Sequence, residues 1–231
     1  MAFRYSAIMS DKLIAPWWHT VIVLMVFAAA IVLSVGSTGT STGGQADHGG
    51  IPLYLSIIGF EWVMFGITWV GTRKRVTLRE LMGARWSGRQ AFVRNVLITI
   101  AFWAVWEGTD QVMNWLLHSG EPANVAAMLP QSVAEVIFWI LLSTSAGICE
   151  EFVFRGYLQR QFATLTRSAT AGLLLQAVAF GAMHGYQGWK KVVIITVLGV
   201  LYGLMVQWRR TILPGMVSHI WADIISGWPN P

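Results

Sequence analysis

Apolar residues in this chain come in long, nearly unbroken runs, without the strict alternation of a half-buried strand. Such runs cover residues 17–35, 51–70, 92–117, 132–148, 168–184, 192–208 and 212–228. Each reaches or approaches the length of about 20 residues at which a helix crosses roughly 30 Å of hydrocarbon. Inside hydrocarbon the backbone N–H and C=O groups have no water to bind, so each run is expected to be a helix that satisfies them internally. The predicted fold is therefore an all-α, polytopic membrane helix bundle with about 7–8 transmembrane helices.

The polar stretches between the runs predict how they are oriented. Residues 37–50 are rich in Gly, Ser and Thr, residues 119–130 hold Glu121 and two prolines, and neither stretch contains Lys or Arg, as expected of external connections. By contrast, Arg73, Lys74, Arg75, Arg79, Arg85, Arg89 and Arg94, seven of the sixteen Lys and Arg, cluster after the second run. A cytoplasmic loop has this bias. Within it, Thr77-Leu78-Arg79-Glu80 reads as a capping box opening a short interfacial helix. Arg160, Arg167, Arg209 and Arg210 fall on the same predicted side, while Lys190 and Lys191 fall on the other, a small exception. The N-terminus is thus expected in the cytoplasm and the C-terminus outside. Arg4 and Lys12 precede the first run in the manner of a signal peptide, but the run is longer than a typical h-region and lacks a small-x-small cleavage site, so it is expected to be a retained span.

Composition agrees with a multi-pass integral membrane protein. Of the 231 residues 55% are hydrophobic and 12% charged, and the mean hydropathy is +0.56, whereas soluble domains carry about a quarter charged residues. The 13 Trp suit membrane interfaces. The net charge of +5 resides in loops and does not point to nucleic acid. A single cysteine, Cys149, excludes an intramolecular disulfide and a cysteine metal cage, and is expected to be a small buried packing residue. The whole reads as one integral membrane domain in two parts: residues 1–131, the N-terminal transmembrane helices with the basic loop, and residues 132–228, which hold the candidate chemistry.

That chemistry starts in Gly147–Gly156, where Glu150, Glu151 and Arg155 interrupt strongly apolar sequence. A central acid or Arg in a membrane helix costs roughly 2.5–3.5 kcal/mol on insertion scales, so such groups persist where they are paired, wet or useful. Gly147 reads as a break where the helix changes environment. Glu151 and Arg155, four apart, share a helix face as a buried brace, while Glu150, about 100° around, is left to face a cavity. The bland alternative is a salt-bridge network that only stabilises the helix. Downstream, His184 ends one apolar helix, and His219 and Asp223 lie four apart on another. A packing histidine and a structural hydrogen bond are their bland alternatives. Taken together the six can converge on a buried water. Glu150 would take its proton as general base and return it to a leaving amine, with His184 holding the water and His219 and Asp223 serving the carbonyl or oxyanion. A metal version uses His184, His219, Asp223 and Glu150 as candidate Zn2+ ligands, with Glu150 as ligand or base; the residues leave both open, although no His-Glu-x-x-His motif is present. Two rival classes remain: a proton-coupled transporter, in which the same carboxylates and histidines form a relay that Glu61, Glu107 and Asp110 would have to join, and a catalytically silent membrane scaffold that binds partner proteins.

Glu150-Glu151-x-x-x-Arg155, Phe180-x-x-x-His184 and His219-x-x-x-Asp223, in that order on apolar helices, resemble the three signature motifs of the CPBP (Abi) family. That family comprises CAAX-processing endopeptidases, bacteriocin-processing enzymes and their bacterial relatives. Phe154-Arg155-Gly156-Tyr157-Leu158, Leu201-Tyr202-Gly203, Arg209-Arg210-Thr211 and Leu213-Pro214 add to the likeness, which covers roughly residues 132–228. The resemblance implies an intramembrane endopeptidase of the bacterial cell membrane acting on a membrane-associated protein or peptide. In it Glu150 would be the water-activating glutamate, His184 its partner, and His219 with Asp223 the oxyanion- or metal-binding pair. Asn is the commonest last residue of the third motif, and Asp223 departs from it.

Overall fold

Every apolar run is helical in the computed structural model, which describes residues 12–38, 49–83 and 88–228. In order the helices are α1 (Trp17–Thr38), α2 (Gly50–Thr72), α3 (Leu78–Met82), α4 (Arg89–Leu116), α5 (Ala123–Ala126) and α6 (Val133–Glu150). A π-helical segment (Glu151–Leu158) continues α6 into α7 (Gln159–Thr166). The chain then forms α8 (Ala169–Met183), a 3-10 turn (Gly185–Gln187), α9 (Trp189–Arg209) and α10 (Leu213–Ser226). No strand occurs among the described residues. Arg4, residues 39–48 of the first external connection, and Arg85 lie outside the described residues.

Among the described residues five helices are long and apolar enough to cross a membrane: α1, α2, α4, the continuous rod Val133–Thr166, and α9. The rod, at 34 residues, is about 50 Å long at 1.5 Å per residue. Helices α8 and α10, with 15 and 14 residues, reach only about 22 Å by the same rise. The seven apolar runs therefore divide into five full-length spans and two shorter helices. Large apolar side chains cover the outer faces, among them Val32 and Leu33 on α1, Val63 and Val70 on α2, and Leu97, Ile100 and Val105 on α4. Such a surface suits lipid tails.

Gly147 is not a break. Helix α6 runs through it without interruption, and the residue is small for a packing reason: a Cβ there would collide with Ile220 and would lie 2.9 Å from the Ile220 backbone nitrogen and 3.1 Å from the Met216 carbonyl. Close approach of α6 and α10 depends on it, in the way small residues let membrane helices meet. The change of helical geometry comes four residues later, at Glu151, where the rod widens into the π-helical segment. All eight residues of that segment are buried, because helices surround it. Phe154 stacks on Phe27 of α1, Phe152 lies against Phe65 of α2, and Phe154 meets Phe180 of α8 edge-on. Polar strands of the same packing tie α1 to the rod: the Tyr157 hydroxyl is 2.9 Å from both His19 Nδ1 and Thr20 Oγ1, and Gln161 Nε2 donates to the Ala15 carbonyl at 2.9 Å.

The capping box is present as expected, with Thr77 as N-cap and Glu80 as its reciprocal partner. It starts α3, whose Leu81 is buried in the core. The Glu80 carbonyl accepts from Arg160 and the Met82 carbonyl from the Ile212 backbone N–H and the Thr211 hydroxyl. Gly83 turns the chain with φ +65, directly against the Arg210 carbonyl. Arg209 donates to Asn95 near the start of α4 at 2.9 Å. The basic loop, Arg160 and the Arg209–Arg210 pair therefore gather at one end of the bundle, as their charge pattern suggested. Lys190 and Lys191 sit at the opposite end, where α4 finishes. Lys190 donates to the His118 carbonyl at 2.9 Å and Lys191 to Asn114 Oδ1 at 3.1 Å, with Glu121 4.0 Å away. These two cations serve the carbonyl end of a helix, which accounts locally for the exception to the charge rule.

Candidate active site

Charged groups from three elements meet at the middle of the bundle. Glu151 and Arg155, one turn apart on the rod, form a 3.0 Å ion pair with no side-chain exposure on either partner. The Arg155 guanidinium also lies over the rings of Phe180 (4.1 Å) and Tyr202 (4.9 Å). Such faces favour a desolvated cation. Helix α10 contributes a glycine where it passes this pair: a Cβ on Gly215 would sit 3.2 Å from Glu151 Oε2.

His219 on α10 is the hub. Its Nδ1 is 3.3 Å from Glu151 Oε1, and its Nε2 is 3.6 Å from both Glu150 Oε2 and Asp223 Oδ2. A carboxylate paired with arginine only accepts, so Nδ1–H donates to Glu151 and Nε2 is the nitrogen left facing the two other acids. Tyr202 packs its ring on the imidazole with 5.3 Å between centroids. The indole N–H of Trp139 donates to the Asp223 carbonyl at 2.8 Å, which fastens the end of α10 to α6.

His184 caps the end of α8. Its Nδ1–H donates to the Phe180 carbonyl at 2.9 Å, which leaves Nε2 as an acceptor. The Phe180 ring stands edge-on to both His184 and His219, with centroids 5.1 and 6.1 Å away. His184 and Glu150 line one cavity of about 460 Å³, walled on its far side by Phe27 of α1 and Phe60 and Met64 of α2. His219 and Asp223 are not among its lining residues, and His219 Nε2 lies 3.6 Å from Glu150 at its edge. The structure thus brings Glu150, Glu151, Arg155, His219 and Asp223 into direct contact and sets His184 on the same cavity as Glu150.

Two neighbours of this centre were not singled out from the sequence as site residues. Glu61 on α2 lines the cavity with Glu150, whereas Glu107 and Asp110 hydrogen-bond Gln111 and Asn114 on their own helix. Only one of the three acids that a transport relay would need is therefore at the cavity. The mid-span position of Glu61 was the available signal. Tyr202 was visible only as part of the Leu201-Tyr202-Gly203 likeness, since its stacking on His219 depends on the packing of α9 against α10. Cys149 is buried, as expected, and also lines the cavity.

Among the described residues no group of three or more His, Cys, Asp or Glu side chains is arranged to hold a metal ion. At His219, Nδ1 is taken by Glu151, while Nε2 lies 3.6 Å from both Glu150 and Asp223.

A helical bundle with full-length apolar spans and an ionisable centre at its middle is an integral membrane protein with a buried polar site. Residues 131–225 match the family described as type II CAAX prenyl endopeptidase Rce1-like. The likeness seen in the three motifs is borne out over that stretch. The chain is also 28% identical over 119 residues to a protein of Bacillus subtilis (strain 168) called "Uncharacterized protein YpbD". That alignment covers 49% of this chain and 57% of the relative, so the chain spans less than two thirds of the relative's length. No solved structure matches the chain.

Proposed function

We propose that the protein is an intramembrane endopeptidase that hydrolyses a peptide bond of a membrane-associated protein or peptide. One observation carries this reading: Glu150 and His184 face a common cavity amid membrane-spanning helices, with His219 Nε2 3.6 Å from both Glu150 and Asp223. The match of residues 131–225 to a protease family supports it.

In the proposed reaction Glu150 takes a proton from a water held by His184 Nε2, and the water oxygen bonds to the scissile carbonyl carbon. His219, carrying a proton on both ring nitrogens, donates from Nε2–H to the carbonyl oxygen as negative charge develops there. Asp223 orients that nitrogen from one side, and Glu151, itself fixed by Arg155, holds Nδ1 from the other. When the C–N bond breaks, Glu150 hands its proton to the leaving amine. Every step uses this chain's own side chains. The clustering of Arg and Lys at one end of the bundle, by the positive-inside rule, supports a cytoplasmic N-terminus, and the Bacillus relative supports a bacterial cell membrane.

The test is cleavage of a membrane-embedded peptide by purified protein, read by mass spectrometry. Wild type is expected to cut and Glu150→Gln to be inactive at unchanged melting temperature, with chelator leaving the wild-type rate intact. Cleavage by Glu150→Gln would contradict the role of Glu150, and loss of activity on chelation restored by zinc would contradict the metal-free route.

A further inference from the structure

We infer that Glu61 is a binding carboxylate for a cationic group of the substrate, a Lys or Arg side chain or a free amine, lying next to the scissile bond. The inference rests on the protease reading but adds a residue of α2, outside the segment that matches the family. Glu61 lies midway along α2, where an acid is most costly in a membrane. It is 7% exposed, and its Oε2 is buried without a hydrogen-bond partner among the described residues. A buried carboxyl left in this state is costly unless something supplies a donor.

None of the side chains lining the cavity hydrogen-bonds this oxygen. No Lys or Arg is among the lining residues, and the two acids that line it are Glu61 and Glu150. Arg155, the guanidinium of the centre, is committed to Glu151 and enclosed by Phe180 and Tyr202. The remaining walls are mostly apolar, so a cation on a hydrocarbon stem would find both parts of itself accommodated. The cavity volume of about 460 Å³ lies within the range of small-ligand sites. The position of Glu61 is also fixed: the indole N–H of its neighbour Trp62 donates to Ser145 on α6 at 3.1 Å, which ties this part of α2 to the rod that bears Glu150.

Two measurements test the inference on the intact protein. The first compares kcat/KM for two membrane peptides that differ only in Lys or norleucine beside the scissile bond. Wild type is expected to prefer Lys by about tenfold, the equivalent of roughly 1.4 kcal/mol, and Glu61→Gln to bring the ratio near one, chiefly through KM. The second measures stabilisation of the detergent-solubilised protein by n-dodecylammonium and by 1-dodecanol, which needs no catalysis. Wild type is expected to be stabilised by the amine alone, and Glu61→Gln by neither. If no peptide is cleaved but the amine binds through Glu61, the protease reading fails and the cation site stands. Equal preference in wild type and Glu61→Gln, or equal stabilisation by amine and alcohol, overturns the cation site. Should Glu61→Gln not fold, Glu61→Asp replaces it; its shorter reach is expected to weaken amine binding severalfold, and unchanged binding overturns the inference.

Discussion

At the scale of single residues, the centre divides into groups that hold and groups that face the cavity. Arg155 and Glu151 have no exposure at all, so removing either leaves an uncompensated charge at membrane depth. Arg155→Ala is expected to cost about 3–5 kcal/mol and to appear as a lower folded yield and melting temperature. Normal stability in that variant would contradict the brace. Arg155→Lys is expected to rescue little, because a point ammonium cannot reproduce a planar cation lying over two rings. The pairing itself was legible: four-residue spacing puts Glu151 beside Arg155 and His219 beside Asp223 whatever the tertiary fold. Glu61 was visible only as an acid in a span, since nothing in its spacing connects α2 to the rod. What joins it to Glu150 is the packing of α2 on α6, which a single sequence does not display.

At the scale of elements, two features of the rod escaped the sequence for the same reason. Gly147 reads as a break because glycine weakens an isolated helix, yet here it is the contact point for α10. Gly147→Ala is accordingly expected to push α10 away and displace His219. Peptide cleavage should fall sharply while the helical content is kept, and an active Gly147→Ala protein would speak for the break after all. The π-helical segment leaves no mark in its residues, all eight of which are buried. π-Helical turns are rare and frequent at functional sites. The capping box of α3 was legible down to the residue because it is a local arrangement. Thr77→Ala should loosen α3 by about 1 kcal/mol, measured by faster hydrogen exchange over Leu78–Met82. The backbone N–H and hydroxyl of Thr77 also hold Glu80 below its ordinary carboxylate value. With the folded value depressed, the box is intact above the ordinary value and is lost as pH falls through the folded one. Exchange in α3 should therefore quicken only in acid, once the base-catalysed intrinsic rate is divided out.

At the scale of the whole molecule, run length and loop charge carried most of the architecture. The boundaries of the run 168–184 fall within a residue of α8, because Ser168 is a true N-cap. The run lengths overstated α8 and α10 as full spans, since hydropathy counts apolar residues whether they face lipid or protein. The sidedness proposal has its own check. Cys149, the chain's one cysteine, is buried, so a cysteine introduced at Ser119 should react with an impermeant reagent in intact cells, and one at Lys74 only after permeabilisation. The reverse pattern would invert the bundle. The central claim, that six residues from three elements form a hydrolytic centre around Glu150, is tested most directly by one measurement. Purified wild type and Glu150→Gln are incubated with a membrane-embedded peptide, and the products are identified by mass. The account predicts one cut peptide bond with wild type and none with a Glu150→Gln protein of equal melting temperature. Equal cleavage by both, or none by either across a broad peptide set, would contradict it.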